Sequence, residues 1–226
     1  MTATGDRIAA ALLADAIPKM RPNELEFFHA QVSTLPDDTH ILEFGMGGST
    51  VLMASTLRPA QHLYSVEHDP DWFKKIQAVV GAQPNVHLHL RKNVLTYVIT
   101  ICEMEGLPLD TDTSKLRAKV EMSKFLPEEC TAGLSGYLDM SYGNDWSKTR
   151  LVLVDGVVRG TCLAMLRHYL PAGAKVLLHD YHFIQDDTPE DVDVPRRDWY
   201  DFGVRLYTPG WSVGSFLVLT VPEGKP

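Results

Sequence analysis

The stretch HILEFGMGGST, residues 40–50, decides the fold. A continuous apolar run stops at an acid, Glu43, and the chain then passes through Gly45, Gly47 and Gly48. Glycine lets a backbone turn sharply with no Cβ in the way. A helix-like run, GSTVLMASTL (48–57), follows at once. Strand, glycine turn and helix in that order mark the carboxyl end of a first strand in an open α/β sheet, where such sheets bind ligands.

Working outward, the same rhythm repeats. Strand-like runs lie at 39–45, 62–68, 85–92, 151–156 and 174–181, and helix-like runs at 48–57, 69–82 and 160–170. The strands are short and continuously apolar, as expected when helices cover both faces. Repeated βα units imply parallel strands with right-handed crossovers. The run FGVRLYTPGWSVGSFLVLTVP (202–222) reads as two strands joined by Thr208, Pro209 and Gly210, hence antiparallel to each other. The expected fold class is α/β: a Rossmann-like, mostly parallel seven-stranded sheet with helices on both faces and an antiparallel terminal hairpin. Residues 1–226 form a single domain in this reading. Helical patterns at 5–17 and 22–33 make residues 1–36 an N-terminal helical extension. Residues 101–148 are far longer than a normal connection and carry a helix-like run, KLRAKVEMSKFL (115–126), so they read as a lid-like insert.

Bulk composition narrows the function. The chain has 226 residues, 45% of them apolar, enough for one α/β core. Its net charge of −8, with no basic cluster, disfavours nucleic acid as a partner. Cys102, Cys130 and Cys162 are odd in number and lack metal-site spacing, which fits a reducing cytosol. The N-terminus has acids inside its apolar stretch and makes a poor signal peptide, and no run is long enough to span a membrane. A cytoplasmic protein is expected, and the oligomeric state is not legible.

The two strand-end acids constrain the ligand. A dinucleotide site would show G-x-G-x-x-G, but Thr50 stands at the third glycine position. A carboxylate beside a pyrophosphate would also be repulsive, so Glu43 fits better beside a cation. Glu67 ends the second strand in LYSVEHD and can accept both hydroxyls of a ribose. S-adenosylmethionine has an adenosine, an ammonium, a sulfonium and no phosphate, and it satisfies both acids.

Residues 39–98 and 149–221 resemble class I S-adenosylmethionine-dependent methyltransferases. ILEFGMGGST is similar to their first motif and YSVEHDP to their second. LVLVDGVVRG and LPAGAKVLLHDY resemble their fourth and fifth strands, and the terminal hairpin their last, antiparallel strand. The resemblance implies that Glu43, Phe44, Gly45, Gly47, Gly48 and Ser49 hold the methionine portion. It also implies that Glu67 holds the ribose with His68 beside it, that Asn93 lies near the adenine amine, and that Asp155 faces the reacting centre.

Asp155 could equally cap the following helix. His179, Asp180, Tyr181 and His182 form the most reactive-looking cluster. Asp155, His179 and Asp180 could bind a divalent cation, as acids at these strand ends do in some O-methyltransferases of this fold. Those enzymes carry an acid–asparagine pair where this chain has His179–Asp180, so the metal-free alternative is preferred, with His179 or His182 as general base. Trp72, Phe73 and Ile76 follow helical spacing and read as core. His29, His40, His62, His87 and His89 read as structural. Tyr137, Tyr142 and Trp146 read either as a substrate wall or as the insert's own small core.

The expected activity is methyl transfer to a small-molecule acceptor. One alternative keeps the cosubstrate but alkylates differently, by intramolecular cyclisation or another transfer releasing methylthioadenosine. A NAD-dependent oxidoreductase and a non-catalytic binding module are the others; the missing third glycine and the three acids count against them.

Overall fold

The computed structural model describes residues 18–91, 144–156, 159–181 and 203–224. The helical pattern at 5–17, Asn93, His182 and residues 101–143 of the insert lie outside the described residues.

Seven strands form one sheet. In chain order they are β1 (His40–Phe44), β2 (His62–Glu67), β3 (Val86–Leu90), β4 (Thr149–Val154), β5 (Lys175–Leu178), β6 (Thr208–Val213) and β7 (Phe216–Thr220). Their spatial order is β3-β2-β1-β4-β5-β7-β6. The first five are parallel, and β7 runs antiparallel to both β5 and β6. This is the expected α/β sheet. The chain moves outward from β1 to β3, then restarts on the other side of β1 at β4. That reversal opens a crevice above the carboxyl ends of β1 and β4. Phe44 pairs with Val154, so Gly45 and Asp155 leave the sheet side by side. Backbone bonds hold them there: Gly45 N donates to Val66 O and Asp155 N to Phe44 O, both at 2.9 Å.

Alternate residues of each strand feed two cores. On one face Leu42, Phe44, Val152, Val154, Val176 and Leu178 pack with Leu163 and Leu166 of α4 (Arg159–Tyr169). On the other, Ile41, Leu63, Leu151, Leu153 and Leu177 meet three helices. These are α1 (Pro22–Ser33), through Phe28 and Val32, α2 (Gly48–Thr56), through Val51 and Met53, and α3 (Pro70–Val80), through Ile76 and Val80. A buried side chain of this size contributes roughly 1.5–3 kcal/mol of transfer free energy. The contiguous apolar runs are therefore what holds the sheet between two helical layers.

Two boundaries differ from the sequence reading. The hairpin turn is at Gly214 and Ser215, not at Thr208–Gly210. Gly214 has φ +57°, the left-handed conformation that a tight turn requires. Pro209 lies inside β6, which is the sheet edge, so its missing N–H breaks no ladder on the open side. The fifth strand ends at Leu178 rather than at residue 181, and Asp180 follows with φ +58°. His179 and Asp180 thus escape strand alternation, and both reach the crevice. No described helix is long and apolar enough to cross a membrane.

Candidate active site

The glycine turn is shaped by contact on one side and space on the other. Gly45 has φ +96°, and a Cβ there would stand 2.6 Å from the backbone of Gly156. No other residue lets β1 and β4 end so close together. Gly47 is different: its backbone is extended, and an added Cβ would meet only Ser49 Oγ, at 3.8 Å. Its small size therefore leaves room above the loop.

Glu43 lies beneath this loop, not on the crevice wall. It is fully buried and accepts from Ser49 Oγ at 2.5 Å, Thr50 Oγ1 at 2.6 Å and Ser65 Oγ at 2.5 Å. Thr50 Oγ1 in turn accepts from Gly47 N at 2.8 Å. One carboxylate thus ties the first turn of α2 and the glycine loop to β2. Burial pushes Glu43 up to about 7, against the lowering pull of the three hydroxyls, and the charge of Asp155 adds to the rise.

Glu67 braces the same loop from β2. Its Oε2 accepts from Met46 N at 3.0 Å; Oε1 accepts from His68 N at 2.7 Å and Asp69 N at 2.8 Å. His68 Nδ1 lies 2.7 Å from Oε1. Oε1 is crowded, whereas Oε2 keeps a lone-pair direction beyond its one backbone donor.

Above the loop is a cavity of about 460 Å³. Met46, Gly47, Gly48 and Ser49 form one wall and Asp155, Arg159, His179 and Asp180 face them. Pro18, Lys19 and Met20 border it from the N-terminal side. Among the described residues Asp155 accepts no backbone N–H of α4. Its Oδ1 is 2.9 Å from His179 Nδ1 and 3.4 Å from Arg159 Nη2. Asp180 Oδ2 accepts from both Arg159 Nη1 and Nη2 at 3.3 Å. Burial alone would lower the titration of His179; its bond to Asp155, with the charges of Asp155 and Asp180, outweighs this and raises it overall. The His179 ring packs 4.6 Å from that of Phe216, and its Nε2 is buried with no hydrogen-bond partner among the described residues.

Pro18, Lys19, Met20, Met46, Trp72 and Arg159 line the cavity without having been singled out in the sequence as site residues, and two of them, Trp72 and Arg159, make defined contacts there. Trp72 reads as core by helical spacing, and one edge of it does pack there, but it also lines the cavity and its Nε1 donates to Met46 O at 2.5 Å. Arg159 is the seventh residue of LVDGVVRG; its place four residues after Asp155, the spacing of an ion pair, is the signal that could have found it. Of the aromatic residues in the insert, Trp146 is described and stacks on Tyr169 at 5.0 Å, facing α4. His40, His62 and His87 form a ring cluster with Tyr64 at the amino ends of β1 and β2, consistent with a structural role.

No family model matches the chain, and no curated protein does. Solved structures do. A methyltransferase-like protein from Silicibacter pomeroyi is 20% identical, with TM-score 0.55, covering 92% of this chain and 90% of that one. The O-methyltransferase TomG from Streptomyces achromogenes, solved in complex with S-adenosylmethionine, is 16% identical, with TM-score 0.55 and coverage of 98% and 91%. An O-methyltransferase from Bacillus cereus, in complex with S-adenosylhomocysteine, is 15% identical, with TM-score 0.56 and coverage of 98% and 91%. The chain therefore has the Rossmann-like fold that these methyltransferase structures share.

Proposed function

We propose that the chain is an S-adenosylmethionine-dependent methyltransferase acting on a small-molecule acceptor. The observation that carries this reading is the cavity itself, a glycine wall without a third glycine facing an acid, a histidine and an acid across the switch point of the sheet. Two features support the cosubstrate: Gly47 leaves space that a Cβ would fill, and Glu67, which braces the loop from β2 and is not among the cavity-lining residues, keeps an acceptor direction on Oε2 for a ribose hydroxyl. Gly47, Gly48 and Ser49 would border the methionine portion, with Glu43 setting their positions from below. The bound cosubstrate would supply an electrophilic methyl group.

The chain's own part is alignment and charge balance. Asp155 Oδ1 is held by His179 and Arg159, which leaves Oδ2 to take a proton from the acceptor. A hydroxyl becomes strongly acidic as it bonds to carbon, so a carboxylate is base enough. His179 serves as the partner that fixes Asp155, because its Nδ1 is engaged and its Nε2 is buried. The 101–148 insert would cover the acceptor. The net charge of −8 argues for a metabolite over nucleic acid, and three cysteines without disulfide-framework or metal-site spacing suit a reducing cytoplasm.

The test is the nucleoside left after incubation with S-adenosylmethionine and a metabolite extract. Adenosylhomocysteine is the expected product. Methylthioadenosine instead would move the reaction to another alkyl transfer from the same cosubstrate, and NAD turnover with neither product would overturn the reading.

A further inference from the structure

One side chain ties the whole reactive end of the crevice together. Arg159, with its side chain 13% exposed, donates through Nε to Gly156 O at 2.9 Å, through Nη1 to His179 O at 2.6 Å and through Nη2 to Asp155 O at 3.3 Å. The same fork lies within 3.4 Å of carboxylate oxygens of both Asp155 and Asp180. It therefore bridges the loop after β4 and the turn after β5, where Asp180 holds its left-handed conformation. Guanidinium is always charged, weakly hydrated and built to fork onto carboxylates, so it suits a half-buried position between two acids.

Asp155, His179 and Asp180 offer one ligand atom each within 4.8 Å of one another, a spacing that a divalent ion could span. The donors do not fit one. A divalent ion bound by both carboxylates would stand beside a fixed guanidinium and be repelled by it. His179 cannot readily join as a ligand, because Nδ1 is bonded to Asp155 Oδ1 and Nε2 is enclosed beside Phe216.

We propose that Arg159 is the resident cation of this site: it holds Asp155 and Asp180 in place where a divalent ion would otherwise do so. It is a positioning residue, acting on the acceptor through Asp155. The repulsion between the two acids is relieved from within the chain, and the site works in the presence of chelator.

Manganese titration followed by electron paramagnetic resonance tests this without turnover. The wild-type chain is expected to bind no manganese at the site. Arg159→Ala is expected to gain one manganese site, because removing a unit charge at this range is worth at least roughly tenfold in affinity. Adding Asp180→Asn should abolish that gain, and Arg159→Lys, which keeps the charge, should behave as wild type. A merely structural arginine would give neither the new site nor the rescue by lysine. One manganese bound by the wild-type chain and lost in Asp180→Asn would overturn the proposal, whether or not Arg159→Ala folds.

Discussion

His179 Nδ1 lies 2.9 Å from Asp155 Oδ1, and this contact joins the ends of two neighbouring parallel strands. It is the reason the imidazolium is favoured despite burial. A raised folded value means that this pair stabilises the fold fully below the ordinary histidine value near 6.5, and that the contribution is lost as pH rises through the raised value. Asp155→Asn should lower the His179 titration seen by NMR. It should also cost about 1.5–3 kcal/mol of stability in the acidic range, the scale of a charged hydrogen bond. An unmoved His179 titration would show that Asp155 does not set its charge.

Glu43 should weaken the fold in the same direction as pH rises, over a lower range. Burial raises it from 4.5 to about 7, so the folded chain holds a proton that the unfolded chain releases. Its contribution is complete below about pH 4.5 and declines through pH 7, by on the order of 3 kcal/mol at 1.36 kcal/mol per pH unit. Glu43→Gln should flatten that decline in unfolding midpoints measured across this range. An unchanged slope would place the titration elsewhere.

Glu67→Ala removes the acceptor of three backbone N–H groups, including Met46 N in the glycine loop. Stability and adenosylhomocysteine affinity should each fall by about 1.5–3 kcal/mol, as measured by thermal unfolding and calorimetry. Loss of stability alone, with unchanged affinity, would confine Glu67 to the loop and remove it from the ribose.

Trp72→Phe keeps an aromatic wall but deletes the bond to Met46 O. Adenosylhomocysteine affinity should fall by about 1 kcal/mol, with stability changing less. Equal affinity in the two chains would show that the loop does not depend on this bond.

The sheet was legible in the sequence because buried parallel strands are continuous apolar runs, and the turn after β1 because Gly45 must clear Gly156. The fine placement of the acids was not. Period and spacing locate Glu43 at a strand end but do not reveal that three hydroxyls from two other segments enclose it. The hairpin was misplaced because Pro209 and Gly210 are turn formers by composition, and only the sheet order shows that they lie on an open edge. Arg159 escaped notice because two of its partners, His179 and Asp180, are 20 and 21 residues away in sequence and meet it only through the β4–β5 pairing.

Calorimetric titration of the wild-type chain with adenosylhomocysteine and, separately, with NAD tests the central claim most directly. The glycine wall, Glu67 and the absence of a third glycine lead to saturable adenosylhomocysteine binding, one per chain, and none of NAD. Saturable NAD binding with no adenosylhomocysteine binding would contradict the methyltransferase account.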